Sequence, residues 1–137
     1  MKYLIDTNIL IILLEKSYSR LSSKQLQVIK DVESELYISE GSLYEIGIKI
    51  RQNKPDFAHI NVQKVEQGMK TLGIKLLKSK KEFYYNIPNV PVVYKRKGEK
   101  HGDPFDLLII SQALVENLPT VSTDEFFPDY KGLNVVK

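Results

Sequence analysis

The sequence predicts an α/β fold, a three-layer α/β/α sandwich around a mostly parallel sheet of four to five strands, built from residues 1–137 as a single domain. Three observations carry this expectation. Short apolar runs such as Tyr3-Leu4-Ile5 alternate with longer segments whose apolar residues recur at helical spacing. The runs end abruptly in polar residues, as at Asp6-Thr7-Asn8 and after Val121. The segment Leu107–Val115 is apolar almost throughout, as expected of a central helix covered on most sides. At 137 residues the chain can bury one substantial core and is too short for two ordinary domains.

Tyr3–Ile5 is too short for an amphipathic helix and suits a buried strand, and Ile9–Leu14 then starts a first helix just beside Asp6. Residues 17–23 read as a turn, and the spacing of Leu26, Ile29 and Val32 predicts a helix near 23–34. Leu36–Ser39 is a second strand. Ser42, with Glu45 three residues later, has the pattern of a capping box opening a third helix, which would put Glu45 in its first turn. Pro55 stops that helix; Val62, Val65, Met69 and Leu72 predict another up to Gly73, with His59 placed on it. Ile74–Leu77 is a third strand, followed by a lysine-rich helix from about Ser79. Pro88, Pro91 and Gly98 frame an irregular stretch with an extended arm near Val90–Tyr94 and a solvated basic flap, Lys95, Arg96, Lys97 and Lys100 against Glu99. Asp103-Pro104-Phe105-Asp106 starts the central helix: Asp caps, Pro fits the first turn, and a second Asp meets the positive end of the dipole. Pro119 ends it, Thr120–Ser122 is a fourth strand with Asp124 just beyond, and Leu133–Val136 is a final edge strand.

Composition narrows the function. Charged residues are 27% and apolar residues 42%, and the net charge of +3 permits nucleic-acid binding without demanding it. With no cysteine there is neither a disulfide framework nor thiolate chemistry. The N-terminus lacks the pattern of a signal peptide, and Ile9–Leu14 is far short of a membrane span, so a cytoplasmic protein without membrane association is expected.

In an open parallel sheet, ligands bind outside the carboxyl ends of the strands. Asp6 and Asp124 follow strands directly, and Glu45 and Asp106 begin helices that leave from the same edge, so four acids distant in sequence are expected at one place. Each also has a purely local role as cap or turn residue. Together, however, clustered and buried carboxylates repel unless a cation sits among them. An all-oxygen set favours Mg²⁺ or Mn²⁺ over zinc, and such ions suit phosphodiester hydrolysis. Thr7 and Ser122 are candidates for orienting a carboxylate. Lys49, Arg96, Lys97, Lys100 and His101 are candidates for substrate contact, and Tyr44, Tyr84, Tyr85 and Tyr94 for base stacking. No glycine-rich phosphate loop, Ser-His-Asp arrangement or histidine-based zinc site is present. A haloacid-dehalogenase-like phosphatase fits poorly, because Asp6-Thr7-Asn8 lacks a second aspartate two residues after the first.

Four segments resemble the motifs of PIN domains, specifically the VapC-type toxins of bacterial toxin-antitoxin modules. Tyr3–Asn8 resembles the first motif, with Asp6 as its acid. Ser39–Lys49 resembles the second, with Glu45 as the acid and Lys49 at a basic position common in one branch. His101–Ala113 resembles the third, with Asp106 as the principal acid and Asp103 as an auxiliary one. Val121–Asp124 resembles the fourth, with Asp124 as the last acid and Ser122 as its supporting hydroxyl. The resemblance implies a Mg²⁺- or Mn²⁺-dependent endoribonuclease, catalytic and metal-binding through Asp6, Glu45, Asp106 and Asp124. It also implies a homodimer, a cognate antitoxin whose peptide enters the acidic groove, and a toxin-antitoxin hetero-oligomer. Leu107 stands where that branch often has Arg, and Asn89–Lys100 is longer than usual. The other readings are a DNA nuclease or another phosphoesterase, and a non-catalytic nucleic-acid- or protein-binding module.

Overall fold

Five strands run parallel in the order β3-β2-β1-β4-β5 in the computed structural model, which describes all residues Met1–Lys137. They are β1 (Lys2–Ile5), β2 (Glu35–Ser39), β3 (Lys75–Leu77), β4 (Thr120–Val121) and β5 (Val135–Val136). The helices are α1 (Thr7–Glu15), α2 (Ser23–Lys30), α3 (Glu40–Arg51), α4 (Val62–Leu72), α5 (Lys81–Tyr85) and α6 (Pro104–Glu116). No helix is long and apolar enough to cross a membrane.

Alternation along the strands divides the core into two layers. Ile5, Leu36, Ile38, Val121 and Val136 pack on one face with α1 and with Ile46, Val65 and Met69. Leu4 packs on the other with Ile109, Ile110 and Ala113 of α6 and with Phe127 and Tyr130, where Tyr37 and Val135 join it. The three layers and the parallel sheet agree with the sequence pattern. The strand order reverses at β1, which opens a crevice at the carboxyl ends of β1 and β4. Ile5 is level with Val121, so Asp6 and Ser122 leave the sheet side by side.

Several boundaries differ from expectation for local reasons. Helix α2 stops at Lys30 rather than near 34, because the Asp31 carboxylate takes the Glu33 N–H (2.9 Å) and turns the chain. Helix α3 opens at Glu40, because Ser39 at the strand end caps it through the Gly41 N–H (3.0 Å). No capping box forms at Ser42; that serine is fully buried, and Glu45 lies in the second turn. His59 lies not on a helix but in the turn after the 3₁₀ segment Pro55–Phe57. Helix α5 starts at Lys81, close to the expected start near Ser79. Strand β4 ends at Val121, because the Ser122 carbonyl takes the Gln25 amide (2.9 Å) instead of a ladder bond. Strand β5 begins only at Val135.

The arm at 90–94 is anchored rather than wholly solvated: Val90 and Val93 are buried, and the Val93 carbonyl accepts the His101 N–H (2.7 Å). Only the turn beyond it, tied by Lys95 N–H to Glu99 O (2.7 Å), carries the exposed basic residues. Leu107 packs against the apolar layer that contains Tyr130.

Candidate metal centre

The crevice at the strand ends is a cleft of about 540 Å³ whose walls include Asp6, Glu45, Asp103, Asp106 and Asp124. Asp6, Glu45, Asp106 and Asp124 each arrive on a different element, and Asp103 caps the helix that carries Asp106. Asp6 is the N-cap of α1: its Oδ1 accepts the Ile9 N–H (2.8 Å), and its Oδ2 accepts the Ser122 hydroxyl (2.5 Å). The same Ser122 oxygen accepts the Asp124 N–H (3.0 Å), so one hydroxyl spaces two acids. Asp124 is held at Oδ1 by the Phe126 N–H (2.8 Å), and its Oδ2 lies 2.8 Å from His101 Nε2.

Glu45 reaches the cleft from α3. Its Oε1 accepts the Thr7 hydroxyl (2.6 Å), and its Oε2 pairs with Lys49 one turn on (2.5 Å). Thr7 is 2.8 Å from Ser42 Oγ, which locks the start of α1 to α3. Burial pulls the Lys49 ammonium down, but the bond to Glu45 and the nearby Asp103 and Asp106 charges outweigh it and raise its pKa. Lys49 is therefore engaged with Glu45 rather than free on a solvent face.

Asp106 differs from these three. Asp103 caps α6 by accepting the Asp106 N–H (2.8 Å), which places Asp106 in the first turn, yet its own carboxylate accepts no hydrogen bond from the protein. Burial, then the charges of Asp103, Asp124, Glu45 and Asp6, push its pKa up to about 7. Asp6 is raised to about 6, mainly by burial; its bonds from Ser122 and Ile9 oppose the rise, and Asp124 and Glu45 add to it. Burial also drives the Tyr130 hydroxyl up to about 12, aided by Asp106 and Asp124. Carboxylates spaced by fixed donors around one unpartnered carboxylate form an all-oxygen set short of positive charge. That donor chemistry fits a hard divalent ion, which Asp6, Glu45, Asp106 and Asp124 would hold. The ligand atoms that come within 4.8 Å of one another are those of His101, Asp106 and Asp124.

The remaining expected residues fall around this centre. His101 is 6% exposed and lies behind Asp124, against the rings of Phe126, Phe127 and Tyr130. Arg96 reaches Glu125 at the rim (3.7 Å), and Lys97 and Lys100 are exposed on the turn beyond. Lys95 is the basic residue of that turn that lines the groove beside Asp106 and Asp124. Tyr44 lies beside Phe105 (centroids 5.8 Å), and with Tyr84 it borders a neighbouring apolar groove; Tyr85 and Tyr94 are exposed.

Sequence reasoning missed Arg20 and His59, which also line the cleft; no spacing rule marks them. It also missed Gln25, whose Oε1 completes a capping box with Ser22 (3.0 Å) while its amide clamps Ser122 O (2.9 Å) and Val136 O (3.1 Å). The Ser22-x-x-Gln25 spacing was the available signal for the box, and nothing local signals the clamp.

A family model described as PIN domain matches residues 3–133. Similar solved structures include VapBC2 from Rickettsia felis bound to a DNA fragment from their promoter, 18% identical, with a TM-score of 0.67 over 98% of this chain and 97% of that chain. Another is VapBC-1 from nontypeable Haemophilus influenzae, 21% identical, with a TM-score of 0.63 over 98% of this chain and 96% of that chain. At these identities the likeness speaks for the fold. No curated protein sequence matches the chain significantly.

Proposed function

We propose that this chain, which belongs to the PIN domain family, is a divalent-metal-dependent endoribonuclease, the toxin of a toxin-antitoxin pair, acting as one cytoplasmic nuclease domain over residues 1–137. The observation that carries the reading is Asp106, a carboxylate without a protein partner facing four other acids at the sheet's switch point. Mg²⁺ or Mn²⁺ held there would polarise a phosphodiester, lower the pKa of an attacking water and stabilise the leaving oxygen. The chain's own residues perform the positioning. Ser122 spaces Asp6 from Asp124, Thr7 and Lys49 fix Glu45, and Asp103 caps the helix that delivers Asp106.

A nucleic-acid substrate is supported by cations near the acids: Arg20 lines the cleft and Lys95 the adjoining groove that shares Asp103, Asp106 and Asp124, with Arg96, Lys97 and Lys100 exposed on the same turn as Lys95. A cognate antitoxin is supported by two observations. The two solved structures named above are described as VapBC, and the open acidic cleft would accept a basic peptide. A homodimer, and with the antitoxin a hetero-oligomer, is supported by the apolar groove that Tyr44, Tyr84, Phe105 and Leu108 line beside the cleft.

The test incubates the protein with mixed RNA and mixed DNA pools, with Mg²⁺ or Mn²⁺ and with chelator, beside Asp6→Asn, and maps the ends produced. RNA cleavage that needs metal and Asp6 is the expected result. Cleavage of DNA alone would replace the substrate, and neither metal binding nor cleavage would favour a binding module. Induced expression, alone and together with any small reading frame found to adjoin the gene, tests the toxin role: growth arrest relieved by such a neighbour is expected.

A further inference from the structure

We propose that His101 is a positioning residue: its Nε2–H, fixed by Tyr130, orients the Asp124 carboxylate toward the metal, and the ring does not itself bind the ion. This inference rests on the metal-dependent reading above. The two strand-end acids are built alike. Asp6 takes one backbone donor, Ile9, and one side-chain donor, Ser122; Asp124 takes Phe126 as its backbone donor and His101 at the matching place.

Proton counting sets the tautomer. His101 Nδ1 lies 2.8 Å from the Tyr130 oxygen, and the His101 carbonyl lies 3.2 Å from it. The acceptor-only Asp124 carboxylate calls for a ring proton on Nε2, and the Tyr130 hydroxyl, between Nδ1 and the His101 carbonyl, holds the other edge of the ring. The ring's own proton then sits on Nε2 and points at Asp124 Oδ2, 2.8 Å away. The opposite tautomer would set a nitrogen lone pair against a carboxylate oxygen.

The backbone is shaped for this contact. Gly102 has φ +98°, and a Cβ there would stand 2.9 Å from the Tyr130 oxygen and 3.1 Å from Leu107 Cδ2, so a glycine follows the histidine where the chain passes under the hydroxyl. His101 is buried among Phe126, Phe127 and Tyr130, which leaves the ring little room to rotate. Residues that hold a metal-binding side chain from behind typically alter metal affinity ~10–100-fold when removed.

The test measures Mn²⁺ binding to the full chain by calorimetry, with folding checked by circular dichroism, for wild type, His101→Leu, His101→Gln and Tyr130→Phe. His101→Leu should bind Mn²⁺ ~10–100-fold more weakly. His101→Gln, which keeps an N–H donor, should recover most of the affinity, and Tyr130→Phe should fall between them. Electron spin-echo spectra of Mn²⁺-loaded wild type should show no directly coordinated nitrogen. Wild-type affinity in His101→Leu, equal losses in the Leu and Gln variants, or a coordinated ¹⁴N would overturn the proposal. If His101→Leu does not fold, Tyr130→Phe decides: unchanged affinity there overturns it. Failure of wild type to bind Mn²⁺ at all would instead overturn the functional reading beneath it.

Discussion

Asp106 is the acid that folding leaves without a partner. Asp6, Glu45 and Asp124 are each held by donors at both oxygens, whereas Asp106 meets burial and four like charges. A half-buried charge without a partner is retained at a cost to stability, so Asp106 opposes the fold while it stays charged and unpaired. Asp106→Asn should therefore raise the melting temperature of metal-free protein, by about 1–2 kcal/mol of stability, because no hydrogen bond is lost with the charge. The same change should reduce cleavage at least ~100-fold, since even supporting residues at metal sites cost up to that much. A destabilised Asp106→Asn would show that the carboxylate has a protein partner after all. At this scale the acids were legible, because Asp6 and Asp124 end strands and Asp103 with Asp106 starts a helix. Their partners were not: Ser122 and Asp6 are 116 residues apart, and His101 and Asp124 are 23 apart with a helix and a strand between them.

Elements meet at the site where small residues allow it. Gly41, in the first turn of α3, lies so close to α6 that a Cβ would sit 2.6 Å from Leu108 Cδ2 and 3.2 Å from Ser39 Oγ. This approach brings the helix carrying Glu45 against the one carrying Asp106. Gly41→Ala is expected to be tolerated through a rotation of Leu108, whose far end is the obstacle. Gly41→Val should cost about 1–3 kcal/mol by overpacking and should weaken Mn²⁺ binding, as read by chemical denaturation and calorimetry. Unchanged Mn²⁺ affinity in folded Gly41→Val would show that this helix contact does not set the site. Strand and helix types were legible from periodicity, but the start of α3 was not. Ser39 and Ser42 are both plausible caps in sequence, and only the strand's end selects Ser39.

The whole molecule converts topology into a pH response. The reversal of strand order at β1 brings the acids to one crevice, and the shared burial raises Asp6 to about 6 and Asp106 to about 7. Because both values lie above those of the unfolded chain, the folded protein holds more protons between about pH 4 and pH 7. The stability of metal-free protein from these two groups should therefore fall as pH rises through that window and return on acidification. Metal competes with the same protons, so Mg²⁺ should raise the melting temperature strongly at pH 8 and little at pH 5.5. Thermal unfolding across pH, with and without Mg²⁺, checks both signs; a metal effect independent of pH would contradict the assignment of these acids. The sheet and its acidic edge were legible from alternating strands and helices, while the part of the cleft lined by Arg20 and His59 depends on the path of irregular segments that no periodicity describes. The most direct test of the central claim is RNA cleavage by chelator-treated protein as Mg²⁺ is restored, wild type beside Asp106→Asn. Activity that is absent in chelator, returns saturably with Mg²⁺ in wild type and stays absent in Asp106→Asn is the predicted result; equal cleavage in chelator, or full activity in Asp106→Asn, would contradict it.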